Sequence, residues 1–223
     1  RTINVAESLA FMHYGAGHEV AEVGLLTRNV KVQGDAASVA SEFGGHIIHR
    51  EATVRFTAIE FTRMGQKGVL GRYPVHYHQT HNVVGQDMYV RDSAIHSCYQ
   101  RCVVGHDTQG LIVDNNVGYD TIGHCFFLED GPETDNVFNH NLAVLARPGS
   151  LIPTDSEPSG FWLPNPNNVV TNNHVIEGAD EITVVLADRR EFEAVIVGTD
   201  ERTDQSIEGK AAPADARFAR GAE

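Results

Sequence analysis

Three short segments of this chain can be laid over one another: Leu111-Ile112-Val113-Asp114-Asn115-Asn116, Asn136-Val137-Phe138-Asn139-His140-Asn141 and Val169-Val170-Thr171-Asn172-Asn173. Each is an apolar pair that runs into asparagine. A second layer repeats beside them, Arg101-Cys102-Val103-Val104 against His124-Cys125-Phe126-Phe127, 23 positions apart. Short β-prone runs broken by Gly, Asn and Asp at roughly 20 to 30 residues are what a solenoid of β-coils requires, because each coil stacks its strands on the one before. The expected fold class is therefore all-β, a parallel β-helix. A leucine-rich repeat is the rival solenoid, but its Leu spacing and helical return segments are missing. Asparagine at the strand ends has a structural meaning, since it tolerates a left-handed corner and can ladder with the equivalent Asn above and below. Cys102 and Cys125 are expected as stacked inward residues, and with Cys98 they offer no Cys-x-x-Cys metal spacing.

The chain has 223 residues, 41% of them hydrophobic, and a net charge of −13. Residues before 169 carry 18 acidic and 11 basic side chains, and those after carry 12 and 6, so neither half is a basic nucleic-acid surface. No run of about 18 apolar residues is present, which predicts no membrane-spanning segment. The chain opens Arg1-Thr2-Ile3 without a signal-peptide pattern, and the missing initiator Met is expected of a processed or truncated product.

Histidine is unevenly distributed, with 11 of 12 lying before residue 169. In Gly71-Arg72-Tyr73-Pro74-Val75-His76-Tyr77-His78, two histidines sit two apart, so on a strand both point to one face. That spacing suits an acid/base pair or a shared divalent cation. Later strands add His96, His106 and His124, and Glu129 with Asp130 follow. Equivalent positions of successive coils line one groove, so His76, His78, His96, His124, Asp130 and Arg72 are the candidates for one stripe across several coils. Such a stripe fits a long polysaccharide, with carboxylate and His as acid and base in glycosidic cleavage. Hydrogen-bonded structural histidines on an inactive solenoid are the alternative. An anionic glycan also needs local positive charge, from Arg72, Arg101 or a bound cation.

Several ordered blocks carry a resemblance over residues 1–168: Ala21 to Val30, Phe43-Gly44-Gly45-His46, Gly71 to His78, Ser93-Ala94-Ile95-His96, Gly123 to Glu133, and Phe161-Trp162 with Asn165-Pro166-Asn167-Asn168. They resemble the β-helix region of the family of cell-migration-inducing, hyaluronan-binding proteins and transmembrane hyaluronidases. The resemblance implies a right-handed parallel β-helix from an extracellular or cell-surface protein that binds and cleaves hyaluronan.

From Val169 the text changes, and residues 169–204 resemble a fragment of an HtrA-type, chymotrypsin-like serine protease. The resemblance places His174 on the general base and Asp204 on the residue that orients it. Ile182 to Leu186 and Glu191 to Val197 alternate as strands. The nucleophile block is missing, and Ser206 lies too close to Asp204 to replace it, so this part is expected to be inactive alone. Residues 205–223 are expected to be a disordered tail. A join between two unrelated sequences near residue 169 is the expectation that follows. The protease-like strands could then cover the end of the last coil by edge pairing.

Overall fold

The computed structural model describes residues 23–176, 182–185, 191–200 and 204–209. The first coil is β1 (Val30–Gln33), β2 (Ile47–His49) and β3 (Arg55–Thr57), with a single helical turn α1 (Ser38–Ser41) after β1. The second is β4 (Ile59–Thr62), β5 (Val75–Asn82) and β6 (Tyr89–Arg91), and the third β7 (Ala94–His96), β8 (Val103–Gln109) and β9 (Ile112–Asp114). The fourth is β10 (Val117–Ile122), β11 (Phe126–Leu128) and β12 (Val137–Asn139), and the fifth β13 (Leu142–Arg147), β14 (Phe161–Trp162) and β15 (Val169–Thr171). A sixth begins with β16 (His174–Ile176). The strands stack as three parallel sheets: β1-β4-β7-β10-β13-β16, β2-β5-β8-β11-β14 and β3-β6-β9-β12-β15. This is a parallel β-helix.

Alternation along each strand puts one set of side chains inside, and stacking turns that set into columns. Val32, Phe61, Ile95, Gly118, Ala143 and Val175 form the column of the first sheet. Val75, Val103, Phe126 and Phe161 run through the second, and Phe56, Val90, Val113, Phe138 and Val170 through the third. Gly118 interrupts its column for a reason. Cys102 and Cys125 form a disulfide between neighbouring coils, and a Cβ on Gly118 would collide with both sulfurs. The two cysteines are inward and buried as expected, but bonded rather than free, while Cys98 is a buried free thiol.

Asparagine does two different jobs at the corners. Asn115 and Asn172 take the left-handed conformation (φ 54° and 53°), as do Asp92 and His140. The Asn that follows forms the ladder, buried at Asn116 and Asn141 and half-buried at Asn173. Asn116 Nδ2 donates to Asn141 Oδ1 (2.9 Å), and Asn141 Nδ2 donates to Asn173 Oδ1 (2.9 Å). A second ladder joins Asn136 Nδ2 to Asn168 Oδ1 (3.0 Å).

The parallel ladder continues across residue 168. β15 pairs in register with β12 and β16 with β13, and Asn168 and Asn173 are rungs. Beyond it, β17 (Ile182–Val185), β18 (Glu191–Asp200) and β19 (Asp204–Gly209) form an antiparallel extension of the first sheet, with β19 beside β16 at Val175 and Gln205. Residues 205–209, expected as the start of a disordered tail, are therefore strand, because β18 offers a paired edge for their backbone groups. The rest of that tail, 210–223, lies outside the described residues.

Candidate functional site

The outer face of the second sheet concentrates chemistry. On β5, Val75 and Tyr77 point inward, which leaves His76 and His78 outside, the former nonetheless buried. Register places His78 beside His106 of β8 and His76 beside Val104. Glu129 follows β11, and its N–H donates to the Gly105 carbonyl (3.1 Å), which brings the carboxylate to the same spot. His106 Nδ1 lies 3.0 Å from His78 Nδ1 and 3.0 Å from Glu129 Oε2, and its Nε2 lies 2.8 Å from Asp130 Oδ2. Tyr73 donates its O–H to Glu129 Oε1 (2.6 Å), with its ring 4.8 Å from that of His76. The Asp130 turn is held from beneath by buried Glu133, which accepts the N–H groups of Asp107, Asp130 and Gly131.

Burial sets the protonation states. It drives the His76 imidazole down to about 3, despite the Gly71 carbonyl bonded to Nδ1, with the charges of His78, His106 and Arg50 adding to it. His78 is lowered by burial, His106 and Arg50. Burial raises the Glu129 carboxyl above its ordinary value, against the Tyr73 hydrogen bond, and raises the Tyr73 hydroxyl as well.

Alongside lies a drier neighbourhood roofed by residues 148–160. Arg101 and Asp155 form a two-pronged ion pair (3.0 and 3.3 Å) whose partners are 0% and 1% exposed. The Arg101 guanidinium sits 3.8 Å from the Phe127 ring centroid and 5.6 Å from that of Tyr73. His124 stacks between Phe127 and Trp162. Its Nδ1 accepts the Ser159 N–H (3.0 Å), which assigns the ring proton to Nε2, 3.1 Å from Thr154 Oγ1. Burial, then the Arg101 charge, hold its pKa at about 4, with Asp155 partly opposing.

A pH dependence follows. Folding favours neutral His124, so the stabilisation is complete above the ordinary value of 6.5 and is lost as pH falls from there toward about 4. That span corresponds to about 3 kcal/mol. Denaturant midpoints of the parent chain should drop across this window more steeply than those of His124→Gln. Equal slopes would remove His124 as the cause.

The single expected stripe resolves into separate places. His76, His78 and Asp130 come together, joined by His106, Glu129 and Tyr73. His124 lies beneath the 148–160 roof. His96 is on the outer face of the first sheet, bonded to buried Glu60 (3.1 Å), which Lys31 also reaches at 2.6 Å. Burial opposes the Glu60 carboxylate, but Lys31, the Arg28 N–H and His96 together pull its pKa below the ordinary value. Lys31, Glu60 and His96 line an open groove of ≈ 490 Å³ with Tyr99 and Arg147. Arg72 stands apart and is bonded to His46 (2.6 Å). For His96 the physical reason is that each coil has three faces and its strand belongs to the first sheet, whereas His124 lies just before β11 and is taken up by Thr154 and Ser159. Arg101, named as a source of positive charge for a glycan, is neutralised and buried. Sequence reasoning missed Tyr73, Arg50, Glu133 and Asp155, of which Tyr73 and Glu133 had a signal, their places within the blocks Gly71–His78 and Gly123–Glu133.

Known proteins bear on this geometry. The family model described as the CEMIP beta-helix matches residues 42–194. The chain belongs to this CEMIP β-helix family. The human "Cell surface hyaluronidase CEMIP2" is 35% identical over 218 residues, covering 77% of this chain and 16% of that protein. A zebrafish (Danio rerio) "Cell surface hyaluronidase" is 35% identical over 203 residues, 72% of this chain and 15% of its own length. The mouse "Cell migration-inducing and hyaluronan-binding protein" is 32% identical over 219 residues, 76% of this chain and 16% of its own. The chain thus spans about a sixth of the length of these relatives. The CEMIP β-helix match runs through residues 169–194, and the serine-protease resemblance there finds no support. His174 stands on β16, in register with Leu142 of the β-helix, and Asp204 opens β19. Among the described residues no helix is long and apolar enough to cross a membrane.

Proposed function

We propose that this chain is part of an extracellular or cell-surface protein that binds and cleaves a long acidic polysaccharide of the hyaluronan type, at the Tyr73–Glu129–His106–Asp130 face of the second sheet. The relatives named for hyaluronan support the substrate class. The observation that carries the reaction is the unbroken series of contacts Tyr73 to Glu129 (2.6 Å), Glu129 to His106 (3.0 Å) and His106 to Asp130 (2.8 Å) on an open sheet face.

Glycosidic cleavage requires one group that gives a proton to the leaving oxygen and another that takes one from the attacking water. Glu129 and Asp130, which flank the His106 ring on opposite nitrogens, can take those two roles. Asp130 is 62% exposed and stands at the rim where a sugar would arrive, while Glu129 is 13% exposed. A flat sheet face accepts a chain of sugars without a closed pocket.

The test is depolymerisation of hyaluronan by the full 223-residue chain, read as product size on a gel, with binding measured separately. Glu129→Gln, which keeps shape and the Tyr73 contact, should lower the cleavage rate by about 10²-fold or more while binding persists. Undiminished cleavage by Glu129→Gln would remove the assigned reaction. A folded parent chain that neither binds nor cuts hyaluronan would remove the substrate class.

A further inference from the structure

We propose that His76, His78 and His106 together hold one transition-metal ion of the zinc class on the outer face of the second sheet. This deepens the glycan reading, since it occupies the same face, but its test uses no glycan.

One ring nitrogen from each histidine lies within 4.8 Å of the others. Zinc bound to imidazole at about 2.0–2.1 Å in a tetrahedron sets ligand atoms about 3.4 Å apart, so small side-chain rotations close the set. His78 and His106 already present Nδ1 to Nδ1 at 3.0 Å. The second observation is His76. It is 1% exposed, and its Nε2 is buried with no hydrogen-bond partner. An orphaned ring nitrogen at such a place is costly unless something binds it.

The outer contacts have the pattern that orients metal-binding imidazoles. A ligating histidine gives its other N–H to a carbonyl or carboxylate, which fixes ring and tautomer. His76 Nδ1 bonds to the Gly71 carbonyl (3.0 Å), and His106 Nε2 to Asp130 (2.8 Å). In both rings one nitrogen is held from outside; the other is unpartnered in His76 and faces His78 Nδ1 and Glu129 Oε2 in His106. Gly71 has φ +77°, a conformation L side chains rarely adopt, so the carbonyl that holds His76 depends on this residue being glycine.

The donor set chooses the metal. Three imidazoles suit zinc, copper, nickel or iron, whereas calcium and magnesium want oxygen. The Glu129 carboxylate, whose Oε2 is 3.0 Å from His106 Nδ1, borders the remaining position. An ion with three protein nitrogens and one open position can activate a water, which a closed four-ligand structural site cannot.

The experiment is zinc titration of the full, metal-stripped chain against a chelating indicator, with cobalt absorption spectra and thermal unfolding in parallel. One equivalent of zinc should bind and raise the unfolding midpoint, and millimolar calcium should not displace it. His78→Gln and His106→Gln, both at partly exposed positions, should weaken binding at least 100-fold and abolish the zinc-dependent shift. Asp130→Asn, at an exposed positioning residue, should weaken it 10–100-fold. His96→Gln, on another face, should leave it unchanged. A folded parent that binds no zinc overturns the proposal. Binding equally tight in the His78→Gln, His106→Gln and Asp130→Asn chains overturns it too.

Discussion

Asn141→Ala should shift the chain's denaturation midpoint by the equivalent of about 3–5 kcal/mol, far more than a polar residue near a surface turn ordinarily would. Asn141 is 1% exposed and bonds in both directions along the solenoid. Its Oδ1 accepts the backbone N–H of Asn116 (3.1 Å) and the Asn116 Nδ2 (2.9 Å). Its Nδ2 donates to the Val113 carbonyl (2.9 Å) and to Asn173 Oδ1 (2.9 Å). Truncation leaves groups on two neighbouring coils buried without these partners, each worth about 1–3 kcal/mol. Asn141→Asp keeps the acceptor but sets a carboxylate oxygen against the Val113 carbonyl, so it should fare little better. Asn115→Gly should lose under about 1 kcal/mol, since Asn115 is exposed and glycine accepts its φ of 54° freely. Urea titrations of the three variants give the comparison. Similar midpoints for Asn141→Ala and Asn115→Gly would mean that the ladder contributes nothing beyond the corner.

This ladder also explains why the fold was legible in the sequence. In a solenoid, coil after coil solves the same packing problem at the same register, so the solution leaves a repeated trace: apolar pair, left-handed residue, buried Asn. What the trace could not show was that Asn115 and Asn116 divide the work, because adjacent asparagines look alike until one is turned inward. The ladder also passes through Asn168 and Asn173, where the text had read as the edge of a different protein. Val170 fills the same column as Phe138, so a strand there serves the β-helix whatever other family it resembles.

The site was legible only where two side chains share one strand. His76 and His78 needed nothing but the two-residue period. Grouping His96 and His124 with them required knowing where each coil turns, and the corners are single residues whose position the spacing does not reveal. Coil length also varies: ladder partners are 25 residues apart at Asn116 and Asn141 but 32 apart at Asn141 and Asn173. The longer coil carries residues 148–160, and nothing in their composition announces that Asp155 returns 54 positions to meet Arg101.

That return contact supports the second large effect. Arg101→Met and Asp155→Leu should each destabilise the chain by about 3–5 kcal/mol, because each strands an uncompensated charge in a place that water does not reach. Asp155 also accepts the Ile152 N–H (3.2 Å), so its loss should loosen the roof over Phe127 and Trp162 as well. The double variant is the informative one. With both charges gone, a thioether can lie where the guanidinium lies against Phe127, and the double loss should be well below the sum of the singles. A cycle of four urea titrations measures this coupling. Additive losses would show that the two residues act through separate packing contacts and that their ion pair is incidental. Strong coupling would instead show that the fifth coil is clamped onto the third by charge. The aromatic roof beside Tyr73 and Glu129 would then depend on an interaction between residues 54 positions apart.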